Sequence, residues 1–207
     1  MHPINTVKGA ITTAFLLAIL IGVGLAAWSG AGVHLDVVRV DRWFHILAGV
    51  MWIGLLYYFN VVQTPGLAVA AADKGGPGGA GVTKYIAPRA LLWFRWAAVV
   101  TWATGALYLI AGYGSSDSGA AGALVSAFTL QPGYRSIGTG AWLGTIMLIN
   151  VWAFIWPNQK KILGIVPATD EQKAAARKTA GMASRINFIL SVPMLMCMGG
   201  QAHGLPF

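Results

Sequence analysis

The chain has 207 residues and a formal net charge of +8, yet only 10% of its residues are charged, 57% are hydrophobic, and the mean hydropathy is +0.65. A soluble domain carries about 25% charged residues, so this composition excludes an ordinary water-soluble globule and points to a bilayer protein, because the apolar residues run in long blocks. No basic stripe interleaved with aromatics supports nucleic-acid binding, and the single Cys197 rules out a disulfide framework.

Five apolar blocks predict membrane helices, at about residues 10–28, 42–63, 90–113, 136–156 and 186–203. Each holds about 18 to 24 residues, against the roughly 20 that span a ~30 Å hydrocarbon core at 1.5 Å per residue. Lipid offers backbone groups no partner, so these blocks must be helical. The expected fold is an all-α, polytopic membrane helix bundle, a single transmembrane domain over residues 1–207.

In chain order, the first block follows Lys8 and resembles a signal peptide with AAWSGAG as a cleavage site; it is read here as a retained membrane helix. The second block is followed by GGPGGAG (Gly75–Gly81), a flexible linker that lacks the Gly-Lys-Ser/Thr ending of a phosphate loop. Ala123–Leu130 reads as an interfacial turn. Ahead of the last block, Thr169-Asp170-Glu171 is positioned to cap a short separate helix running through Lys178, expected to lie on the membrane surface or to touch a partner.

Ten cations fall on one side of these blocks: Lys8; Lys74, Lys84 and Arg89; Lys160, Lys161, Lys173, Arg177, Lys178 and Arg185. Arg39, Arg42 and Arg135 fall on the other. The bias predicts a cytoplasmic N-terminus and an external C-terminus, in the inner (cytoplasmic) membrane of a bacterium. Arg95, inside WFRW, is expected to snorkel to the cytoplasmic headgroups beside Trp93 and Trp96. Asn60, Asn150 and Asn187 are expected to bond between helices, and no carboxylate falls inside a predicted helix.

His2 and His34 read as solvated. His45 and His203 differ. One lies three residues into a helix that runs inward and the other about 17 residues into a helix that runs outward, so both reach the same external depth. The faces below them carry Ala48, Gly49 and Trp52 on one side and Gly200 and Gly199 on the other. If those faces oppose, they bound a flat slot with an imidazole at its mouth. Haem b with His45 and His203 as iron ligands suits that shape, and Arg42 and Arg135 (with Arg39) lie where propionates would pair with guanidinium. The competing readings are close helix packing through small residues, a different metal, or a quinol site. Met51, Met194, Met196 and Met198 offer thioethers as a weaker ligand set.

RWFHILAGVMWIGLLYYF (Arg42–Phe59), WFRWAAVVTWATG (Trp93–Gly105), GTIMLINVWAFIWPNQKK (Gly144–Lys161), INFILSVPMLM (Ile186–Met196) and Ala202–His203 resemble, in that order, the membrane domain of bacterial urate hydroxylases. Those proteins join a multi-helix membrane domain to a C-terminal cytochrome c. The GTIM…NV…P.Q.K pattern is the most specific part. The His-x-x-x-Gly…Trp-x-Gly pattern is also similar to haem-b protoporphyrinogen oxidases and copper-resistance membrane proteins. The chain is shorter than that domain, contains no CxxCH haem-attachment site, and keeps a polar cluster of the family only partly, as Ser184-Arg185-Ile186-Asn187.

The resemblance implies a redox-linked helix bundle. The first functional reading is a haem-b subunit passing electrons at the outer face to or from a cytochrome c or a larger respiratory complex. The second is an enzyme oxidising urate or another small molecule, and the third a cofactor-free structural subunit; copper handling is a weaker fourth. A homo-oligomer pairing His45 of one chain with His203 of another is compatible with all of this.

Overall fold

The computed structural model describes residues 5–30, 32–112 and 122–206, and the described residues form helices and no strands. Five of those helices are long and apolar enough to cross a membrane: α1 (Val7–Trp28), α2 (Val37–Ala72), α3 (Val82–Ala111), α5 (Arg135–Ile162) and α6 (Asp170–His203). A short helix, α4 (Gly122–Phe128), precedes α5. The chain divides into two compact units, Met1–Val37 and Val38–Phe207.

The first unit holds α1. Its start is set by Thr6, whose hydroxyl accepts the Gly9 N–H at 3.1 Å. None of its residues is buried.

In the second unit every spanning helix outruns its apolar block, because helical hydrogen bonding continues past the last apolar residue. α2 starts at Val37, a turn before the predicted Arg42, and so includes Asp41. The expectation that no carboxylate lies within a helix is therefore corrected. α3 ends at Ala111, and the predicted end at Tyr113 lies outside the described residues. The separate helix through Lys178 does not form as such. Thr169 closes a capping box with Gln172, and the helix it starts runs unbroken for 34 residues to His203. At 1.5 Å per residue that rod is about 51 Å long, longer than a ~30 Å hydrocarbon core, and its charged residues fall in the first half.

Three of these helices contain a widened turn in which a backbone N–H reaches five residues back: Thr64 to Phe59, Ala87 to Val82 and Trp156 to Val151. A proline follows each donor directly (Pro65, Pro88, Pro157). Proline brings no N–H and crowds the carbonyl four residues back, and a π-type turn ahead of it relieves that crowding.

The core of this unit lies toward that same end. Trp52, Leu56, Phe59, Phe94, Ala98, Met147, Val151 and Met194 are buried together, with Phe59 and Phe94 edge to face at 5.5 Å. Polar groups connect the rods across it. Asn60 donates to Ser184 at 2.8 Å, Asn150 to Asn187 Oδ1 at 2.8 Å, and Asn187 in turn to the Met147 carbonyl at 3.0 Å. The Ser191 and Tyr57 hydroxyls are hydrogen-bonded to each other at 3.1 Å. Arg95 stacks its guanidinium over Trp156 at 3.8 Å, joining α3 to α5. At the opposite end, a Cβ on Gly138 would run into the Ala127 carbonyl, so only glycine lets α4 lie this close to α5.

Asn150 and Asn187 are expected to couple by about 0.6 kcal/mol and by no more than about 1.7, the range of such bonds between membrane helices. A double-mutant cycle with Asn150→Ala and Asn187→Ala, followed by unfolding in micelles, measures it; additive losses would show that the bond contributes nothing.

Candidate functional site

The backbone of α2 comes close to α6 at the Tyr58–Gln63 turn, and toward Val37 the two rods no longer approach. The space this leaves is a cavity of about 630 Å³ between α2, α3, α5 and α6. Cofactor and ligand sites occupy about 300–1,000 Å³. The walls are largely apolar, with Arg42, His45, Thr101, Gln201 and His203 as the principal polar groups.

His45 is half-buried and is held by α3. Its Nδ1 lies 2.8 Å from the Thr101 carbonyl oxygen and 3.4 Å from Thr104 Oγ1. A carbonyl can only accept, so Nδ1 carries a proton, and in the neutral ring Nε2 is the nitrogen left with a lone pair. The ring can reach that carbonyl because the residue one turn on is Gly105. A Cβ there would stand 2.8 Å from His45 Cε1 and 3.1 Å from Nδ1. The side chain four residues along a helix covers the carbonyl behind it, and here it is absent.

His203 reaches the same cavity from the end of α6. Gln201, two residues earlier, accepts the Ile137 N–H at 3.0 Å and donates to the Gly133 carbonyl at 3.0 Å. Ser136 donates to the Cys197 carbonyl at 3.0 Å. These bonds fasten the end of α6 to the start of α5, where the first helical N–H groups lack helical partners. Arg42 completes the polar set, its guanidinium 6.0 Å from the centre of the Tyr108 ring, which also lines the cavity.

Among the residues singled out from sequence, His45, His203, Arg42 and Gly199 line this cavity. Ala48, Gly49, Gly200 and Arg135 do not. Gly49 packs toward the Thr101 methyl, Gly200 faces Leu205 and Ser136, Ala48 is half-buried, and Arg135 is exposed. The reason is rotational: α2 lines the cavity with Arg42, His45, Ile46 and Trp52, and α6 with Met194, Leu195, Met198 and Gly199, a face turned from the one through Gly200. Met194 and Met198 thus line the cavity, whereas Met51 and Met196 do not. His34 is exposed, and His2 lies outside the described residues.

Sequence reasoning missed the whole contribution of α3, including Thr101 and Gly105. It also missed Gly144 of α5, where, as at Gly199, a Cβ would meet nothing within 4 Å. Among the described residues no three His, Cys, Asp or Glu gather as a bare-ion site.

Residues 119–206 match the family model described as urate oxidase N-terminal, which relates this stretch to a urate oxidase family. The match takes in α4, α5 and α6, with Gly144, Gly199 and His203, and stops short of α2 and α3. No curated protein and no solved structure matches the chain.

Two glycines should respond oppositely to a methyl group. Gly105→Ala is expected to push the imidazole off the Thr101 carbonyl, which ¹⁵N spectra of labelled histidine would register as a lost fixed tautomer. Gly199→Ala meets open space and should raise stability by about 0.5–1 kcal/mol, the usual gain for glycine in a helix interior. An unchanged His45 tautomer in Gly105→Ala would contradict this account of the ring's placement.

Proposed function

We propose that this chain, whose residues 119–206 are related to the urate oxidase N-terminal family, is a membrane redox protein that binds haem b between α2, α3, α5 and α6. The single observation that supports this most is the His45 hydrogen bond to the Thr101 carbonyl. Metal-binding histidines commonly anchor one ring nitrogen on a carbonyl and offer the other to the metal.

The donor set favours a metal that arrives with its own equatorial ligands. Two imidazoles without a third protein ligand hold a bare transition ion poorly. A porphyrin supplies four nitrogens and asks the protein only for axial ligands. His45 and His203 would be those ligands, and Arg42 would pair with a carboxylate at the rim. The apolar walls would keep water from the ring faces, and Gly144 and Gly199 would leave room for them. When bound, the haem supplies one-electron redox chemistry. His45 would keep its Nδ1 proton on the Thr101 carbonyl, which fixes the ring plane and would leave Nε2 to hold the metal.

The cation distribution supports a multi-pass protein of the bacterial inner membrane with this cavity toward the outer face. There it would exchange electrons with a cytochrome c or a larger redox complex.

The family relation itself favours a second reading, the oxidation of urate or a similar small planar anion. Arg42 would bind the anion and His45 would orient it against apolar walls.

Reduced-minus-oxidised spectra of the purified protein test the first reading. A haem b band is expected in the wild type and absent in His45→Ala, with an altered ligand-field signature in His203→Ala. A colourless protein that nonetheless reduces added cytochrome c when given urate would replace the first reading with the second.

A further inference from the structure

The start of α3 carries chemistry that the cavity does not use. Its sequence KYIAPRALLW (Lys84–Trp93) places Tyr85, Arg89 and Trp93 four residues apart, on one side of the helix. They and Lys84 line a shallow groove in which both aromatic rings stand in the open, Tyr85 66% and Trp93 60% exposed. Lys84 Nζ lies 5.3 Å from the centre of the Tyr85 ring. Both cations are exposed, and neither has an acidic partner among the described residues. The widened turn at Val82–Ile86, ahead of Pro88, shapes the helix at this point.

Tyrosine and tryptophan favour the depth at which headgroups meet acyl chains, because one end of each ring system is apolar and the other polar. Unpaired lysine and arginine at that depth attract phosphate, arginine through a two-pronged hydrogen bond. A groove that joins both features matches a molecule with a phosphodiester at one end and hydrocarbon at the other. We propose that this groove is a binding site for the headgroup of an anionic phospholipid. The phosphate sits between Lys84 and Arg89 while Tyr85 and Trp93 flank the glycerol and the first carbons of the chains. The site is separate from the haem reading, since none of its residues lines the His45 cavity.

The test uses the full chain in nanodiscs of phosphatidylcholine, with and without phosphatidylglycerol, and native mass spectrometry to follow retained lipid. Each cation near a charged membrane surface contributes about fivefold in affinity, so Lys84→Gln with Arg89→Gln should weaken phosphatidylglycerol retention by about 25-fold. Lys173→Gln with Arg177→Gln removes the same charge elsewhere and should leave retention unchanged. Equal losses in both double variants, or equal retention of phosphatidylcholine, would overturn the site. So would inorganic phosphate in pure phosphatidylcholine displacing bound lipid at low concentration, since the occupant would then be a free anion. Should the first double variant fail to fold, brominated lipids decide the matter in otherwise wild-type protein. Brominated phosphatidylglycerol should quench the Trp93 signal (wild type minus Trp93→Phe) more than brominated phosphatidylcholine does, and equal quenching would refute the proposal.

Discussion

One hydrogen bond organises the cavity: the imidazole of His45 against the carbonyl of Thr101 at 2.8 Å. A helix carbonyl has a second lone pair after accepting its own helical N–H, but the side chain one turn later normally hides it. Gly105 uncovers it. The ring of one helix can therefore rest on the backbone of another, which sets both the tautomer and the orientation of the histidine. The ligand chemistry open to this histidine depends on which nitrogen is left over.

The two ends of this helical unit play different physical parts. One end is closed by large apolar side chains and by bonds through Asn60, Asn150, Asn187 and Ser191, and it contains the three proline-linked turns. The other end is held open. Its rods are fastened locally, by Gln201 and Ser136 between α5 and α6 and by Trp102 Nε1 donating to Thr145 at 2.8 Å between α3 and α5. A firm base is what allows a wide mouth, because a gap between helices sacrifices dispersion contacts that must be offset by packing elsewhere.

Much of this was legible in the sequence, for identifiable reasons. Hydropathy gave all five spans, since the bilayer imposes both length and composition. Helical rise alone placed His45 and His203 at one depth, and both line one cavity. The full extent of the helices was not legible: capping chemistry marked a helix at Thr169, but the charged residues between it and the last apolar block hid that the two are one rod, and Arg39 and Asp41 likewise hid the early start at Val37. Nor was the part played by α3. Thr101 contributes a backbone atom, which no side-chain pattern reports, and a glycine such as Gly105 is common in membrane helices for packing alone. Gly49 and Gly200 do not line the cavity because a shared helix face spans a wide arc, and only the neighbours decide which edge of it meets a cavity.

The walls come from helices far apart in the chain, with α2 first and α6 last. Synthesis and insertion proceed from the N-terminus. For most of its time on the ribosome the protein therefore has one imidazole in place and nothing opposite it. The pocket comes into being in a single late event, when the final rod docks. Any group gripped from both sides would have to wait for the last helix, and its arrival would lock together elements that the order of synthesis had kept apart.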